Sequence, residues 1–168
     1  MRTINTTPAA WLMAIALATW ATHAGATPQD EQVAAVRTLY ARYAAESVID
    51  DTDSPTLATA PRAVLRQHLT EELTRLWLRD RDCVQRTREI CRIDFAVIWD
   101  SQDPTGTSVK LAWDPAQGRV AATLRRADGS TRVLAYSLVK GATGWRIADI
   151  GFGDGRPSLR QLLMVPRP

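Results

Sequence analysis

The sequence is short of the side chains that most often do chemistry. Of its 168 residues, two are histidine (His23 and His68) and two are cysteine (Cys83 and Cys91). Lysine occurs only as Lys110 and Lys140, so arginine supplies nearly all of the 21 basic residues. A zinc site of His and Cys ligands cannot be assembled once the cysteines pair with each other, and no metal is expected. A Ser-His-Asp arrangement would have to use His68, and no G-x-S-x-G elbow exists to serve it. Phosphate loops and dinucleotide fingerprints are missing as well. Gly151-Phe152-Gly153-Asp154-Gly155 has the glycines, but it follows a strand-like segment without leading into a helix, so no cofactor is expected. His68, between Gln67 and Leu69, reads as a partly exposed helix histidine.

Long apolar runs are also lacking. The stretch Ala9–Trp20 would rise only about 18 Å as a helix, against roughly 30 Å of hydrocarbon. Preceded by Arg2 and followed by Ala24-Gly25-Ala26, it reads as a secretory signal over residues 1–26, cleaved to leave residues 27–168. No cysteine stands at that site to carry a lipid, so the product is expected free in the periplasm with no membrane anchor. About 140 residues suit a single domain. Arg2 is the one charged residue lost, which lowers the formal charge of +3 by one. A charge that small, with both signs interleaved, is a solvated surface and excludes a nucleic-acid footprint.

In an oxidising compartment, Cys83 and Cys91 are most simply a disulfide. Eight residues of continuous helix would hold them about 12 Å apart, whereas a bridge needs Cα atoms within about 7 Å. The chain must therefore turn within Val84–Ile90. A redox pair is the functional alternative, and this spacing is wrong for it.

Thr27-Pro28-Gln29-Asp30-Glu31 is a helix start, and Val33, Val36, Tyr40 and Tyr43 continue it to about Glu46. Pro61 opens a second helix and Thr70-Glu71-Glu72 a third, with Leu73, Leu76 and Trp77 on its buried stripe. From Asp94 the period becomes two. Segments Phe95–Gln102, Ser108–Trp113, Arg119–Arg126, Thr131–Lys140 and Trp145–Phe152 read as strands, and Ser158 as the start of a short last helix. Helices followed by an antiparallel meander make an α+β domain. Strand 131–140 is apolar on both faces and belongs in the middle of the sheet. Strand 119–126 alternates Val120, Ala122 and Leu124 against Arg119, Thr123 and Arg125, so one face meets water.

The candidate site residues fall into three groups. Asp50, Asp51 and Asp53 form an acidic loop that lacks the glycine and distal glutamate of a calcium loop, and it can meet a basic partner. Trp99, Asp100, Gln102 and Asp103 set an aromatic beside a charged turn, a pattern that suits a protein-binding hot spot, although core packing of Trp99 is the commoner outcome. Asp149 and Asp100, with Tyr136, form the third group. If their faces point inward, two carboxylates in apolar surroundings suit proton transfer; if they lie at strand ends, they bond to backbone or arginine.

The runs DFAVIWDSQD (94–103) and GWRIADI (144–150), Ser158-Leu159-Arg160 before Leu162-Leu163, and RAVLRQHLTEELTRL (62–76) resemble a family of exported bacterial domains of unknown function. That family, which includes envelope lipoproteins, has the nuclear-transport-factor-2-like cone fold, in which helices cap a strongly curved antiparallel sheet. The resemblance implies such a fold over nearly all of residues 27–168. The carboxylate base and tyrosine donor of the superfamily's ketosteroid isomerases have no cleanly matching motif here. The resemblance further implies a protein-binding, non-enzymatic role as an immunity protein, an effector inhibitor that blocks a secreted antibacterial effector delivered by a secretion system. The rival expectation is a small-ligand binder or enzyme using a cone pocket. A homodimer through the open sheet face is a further expectation from this likeness.

Overall fold

The computed structural model describes residues 25–48 and 55–165. Residues 1–24 of the expected signal segment and the acidic triplet Asp50, Asp51 and Asp53 lie outside the described residues. Helix α1 (Pro28–Arg42) begins on a reciprocal cap: the Asp30 amide donates to the Thr27 hydroxyl, and the Thr27 amide to the Asp30 carboxylate. It ends at Arg42 instead of reaching Glu46, and Ala44–Ser47 tightens into a 3-10 turn. Helix α2 (Arg62–His68) follows Pro61, and α3 (Glu71–Thr87) is capped by the Thr70 hydroxyl.

Helix α3 stops where Arg88 takes a left-handed conformation, φ 61°. That turn brings Cys91 back to Cys83, with Cα atoms 6.2 Å apart and the sulfurs bonded. The bridge therefore forms by the turn that the spacing demanded. Closing so short a loop is worth about 2.5 kcal/mol in the chain-entropy picture.

Strands β1 (Ser108–Asp114), β2 (Arg119–Arg125), β3 (Thr131–Gly141) and β4 (Gly144–Gly151) form one open antiparallel sheet in the order β1-β2-β3-β4. A last helix, α4 (Leu159–Met164), starts on a Ser158–Gln161 capping box. The architecture is α+β. All four helices contact the sheet or each other on its inner side, where Val120, Ala122, Leu124, Leu134, Tyr136, Ile147 and Ile150 are buried. On the opposite face Val133 and Val139 remain about half exposed, at 50% and 49%. Among the described residues no helix is long and apolar enough to cross a membrane.

Two differences from the sequence reading matter for the site. The segment Phe95–Gln102 is not a strand. It folds back on itself through a lone Ala96–Ser101 bridge, with the Trp99 amide donating to the Ala96 carbonyl and Asp100 left-handed at φ 49°. The second difference is a bulge. Leu138 pairs with Ile147 but Ser137 pairs with Asp149, so Ala148 is an extra residue. A bulge shifts the alternation of side chains by one. Ile147 and Ile150 both face the core, and Asp149 lies beside Ser137 on the other face, not beside Ile147.

Candidate functional site

The Trp99–Asp103 turn is anchored by three residues from other parts of the chain. Tyr40 on α1 donates its hydroxyl to the Ile98 carbonyl at 2.7 Å. Its ring meets Trp99 edge to face, with centroids 5.1 Å apart. Arg126, just past β2, donates to the Asp100 carbonyl. Arg156 grips the Asp100 carboxylate with both terminal nitrogens, Nη1 to Oδ1 at 2.9 Å and Nη2 to Oδ2 at 2.7 Å. The same guanidinium also donates to the Phe152 carbonyl, and its hydrogen bonds to Asp100 push its pKa up.

These contacts turn half of the segment inward. Trp99 is 2% exposed and the Asp100 side chain 4% exposed, so neither presents itself to a partner. Gln102 and Asp103 remain on the surface. Gln102 donates to Asp94, and the Asp103 carboxylate accepts from the Thr105 amide, which lowers its pKa. Beside the turn, α1 and the unpaired edge of β1 enclose a groove of about 380 Å³ lined by Arg37, Tyr40, Trp99, Val109 and Leu111.

The Gly106 amide donates to the Ser47 carbonyl at 2.8 Å, which ties the chain at Ser47 to the end of the Trp99–Asp103 turn. Close by, the Leu57 amide donates to Glu46, whose carboxyl is pushed up by burial.

Tyr136 is wholly buried on β3. Tyr40 donates to Ile98, so Tyr136 is the donor in the 2.9 Å contact between the two hydroxyls. Burial raises both phenols well above the ordinary range, and Tyr136 also loses by facing Tyr40. Two phenols and one carbonyl thus form a closed chain between helix and sheet. Asp149 takes no part in it. Its Oδ1 accepts from the Ile150 amide at 2.8 Å and from the Arg160 amide, in the first turn of α4, at 2.9 Å. Asp100, Asp149 and Tyr136 therefore do not converge: one is held by arginine, one by backbone amides and one by a second tyrosine.

Arg156, Arg126 and Tyr40 were not singled out from the sequence, although they position everything else in the turn. A partial signal exists for Arg156. The stretch Gly153-Asp154-Gly155 is left-handed at all three residues, with φ of 70°, 52° and 71°, and such a run of Gly and Asp marks a sharp turn. Nothing local says which acid the following arginine will reach 56 residues away.

Among the described residues no group of three or more His, Cys, Asp or Glu side chains is arranged to hold a metal ion. No protein-family model matches the chain, and no curated protein or solved structure matches it.

Proposed function

We propose that the chain is an exported, cone-fold, protein-binding domain of the nuclear-transport-factor-2-like kind. In this reading it is an immunity protein that neutralises a secreted antibacterial effector in the periplasm. The observation that carries the proposal is that the candidate polar groups inside the fold do not share a cavity. The Tyr136 and Tyr40 hydroxyls and the Ile98 carbonyl bond to one another, and Asp100 and Asp149 are hydrogen-bonded elsewhere. An enzyme or small-ligand binder using those three residues would need them turned toward a shared cavity, so the same geometry weighs against that alternative.

Recognition then falls to the surface. The two stretches with partner-binding character are Gln102–Asp103 and the segment carrying Asp50, Asp51 and Asp53, and Gly106 and Ser47, each three residues from one of them in sequence, share a hydrogen bond. Their four aspartates are the proposed acidic rim, whose charge suits a basic surface, and the domain acts by steric occlusion. The mature chain, residues 27–168 with its disulfide intact, should capture one stoichiometric partner from lysate of its own organism in a pull-down read by mass spectrometry. Reversing Asp50, Asp51, Asp53 and Asp103 to lysine should abolish that capture. Unchanged capture would remove the rim from the proposal. No partner at all, with candidate toxins demonstrably expressed, would end the immunity reading.

A further inference from the structure

A second cleft, of about 500 Å³, opens where α1, the C-terminal end of α2 and the β3–β4 hairpin meet. It shares no residue with the acidic rim, and its volume falls in the range of small-molecule sites. Its arginine lacks the acid partner that Arg156 has beside the Trp99–Asp103 turn. Arg146 on β4 makes four hydrogen bonds, all to neutral acceptors. Nε donates to the Arg66 carbonyl at 2.9 Å and Nη1 to the Trp145 carbonyl at 2.8 Å. Nη2 donates to the Thr143 carbonyl at 3.3 Å and to the Thr143 hydroxyl at 2.7 Å. A guanidinium has five N–H donors, so one on Nη1 is left over. No carboxylate among the described residues pairs with Arg146.

The neighbouring Gly144 bears on the same atom. A Cβ built there would lie 3.7 Å from Arg146 Nη1, so the glycine leaves the approach to that nitrogen uncovered. His68 supplies the third group. It is only 7% exposed and forms part of the cleft wall; its Nε2 is buried without a hydrogen-bond partner, so the ring meets the cleft through its other edge.

The charge of the cleft is set by Arg146. Glu31, also on the wall, is held by Lys140 Nζ at 3.1 Å and by the Trp145 indole N–H at 2.9 Å, so those two charges offset each other. One uncompensated cation with one unengaged donor suits a singly charged anion better than a phosphate dianion. Ala34, Ala35 and the half-buried Trp145 ring supply apolar wall, and Thr38 and Gln67 add neutral polar groups to it.

We propose that this cleft binds a small organic monocarboxylate, its carboxylate between Arg146 Nη1 and the His68 imidazole and its apolar part against Ala34, Ala35 and Trp145. The inference stands apart from any protein partner. It is tested by two-dimensional NMR titration of the intact oxidised chain at pH 7 with octanoate, octylammonium, inorganic phosphate and N-acetyl-leucyl-leucine.

Octanoate should shift the Gly144 amide and the Trp145 indole N–H saturably, while octylammonium and phosphate should not. Arg146→Gln should weaken octanoate binding at least about tenfold, the scale of losing a charged hydrogen bond. Because Arg146 also ties the hairpin to α2, a second variant guards the interpretation. Ala34→Trp, at an exposed helix position, should fill the cleft and block binding with the spectrum otherwise intact. The proposal is overturned by an absence of saturable shifts, by equal binding of octanoate and octylammonium, or by octanoate affinity unchanged in both variants. Tighter binding of N-acetyl-leucyl-leucine than of octanoate would assign the carboxylate to a peptide terminus and overturn the small acid.

Discussion

The Trp99–Asp103 turn and the His68 cleft are built from similar groups and end in opposite states. Each joins a helix to the sheet, and each includes an arginine and an aromatic residue. In the turn, the Asp100 carboxylate, the Asp100 carbonyl and the Ile98 carbonyl all accept hydrogen bonds from within the fold. In the cleft, Arg146 has only neutral acceptors and His68 Nε2 has no partner. Both regions keep buried nitrogens without a partner, Trp99 Nε1 and Arg126 Nε at the turn and His68 Nε2 at the cleft, so the difference between them is one of charge. Asp100 and Arg156 neutralise each other, whereas Arg146 has no acid beside it, and an unmatched charge is where an anionic ligand gains most.

The turn, if structural, should be sensitive to substitution in proportion to what it buries. Trp99→Ala removes a side chain that is 2% exposed and packs against Tyr40, and should cost about 3–5 kcal/mol in urea unfolding. A cost below about 1 kcal/mol would mean that the surroundings collapse easily and that the turn is not the rigid partner in this comparison.

Asp100→Asn is a narrower test of the same region. Asparagine tolerates the left-handed backbone as aspartate does, so the change isolates the charge. Breaking a buried pair costs several kcal/mol, but Arg156 is 40% exposed and water reaches it, so a loss of about 2 kcal/mol is expected. Chemical denaturation of this variant, of Arg156→Gln and of the double variant would show how much of the loss belongs to the pair.

The smallest effect concerns the cleft. Burial, and then the charges of Arg42 and Arg146, hold the His68 pKa below its ordinary 6.5. As pH falls through 6.5 the unfolded chain therefore takes up the proton first, and the unfolded state gains. The contribution of neutral His68 to stability is complete above about 6.5 and diminishes as pH drops toward the folded value. Glu46 and Asp80, both raised by burial, act with the opposite sign above their ordinary values of 4.5 and 3.8. The difference between parent and His68→Gln isolates the histidine. Urea midpoints between pH 8 and 5.5 should fall less steeply with acidification in the variant, and parallel curves would refute a lowered His68 pKa.

Legibility in the sequence followed the range of the interaction. The caps at Thr27, Thr70 and Ser158 are contacts over three residues, and each helix start sits where its cap predicts. The β2 alternation was readable for the same reason, because a strand's faces repeat every two residues. The apolar run at 95–99 misled because a buried turn is as apolar as a buried strand, and only Tyr40, Arg126 and Arg156 make it a turn. Asp149 was misplaced by one inserted residue, Ala148, which leaves no mark in an apolar pattern.

The sequence by itself determined the α+β order, the helix starts, the central place of β3 and a cysteine pair that the chain must turn to join. Only the tertiary structure decided that His68 is buried, that Asp100 belongs to Arg156 and that Tyr136 belongs to Tyr40. The physical reason is separation along the chain. Those pairs lie 56 and 96 residues apart, and at that range the partner of a polar group is chosen by where whole elements pack, not by its neighbours in sequence.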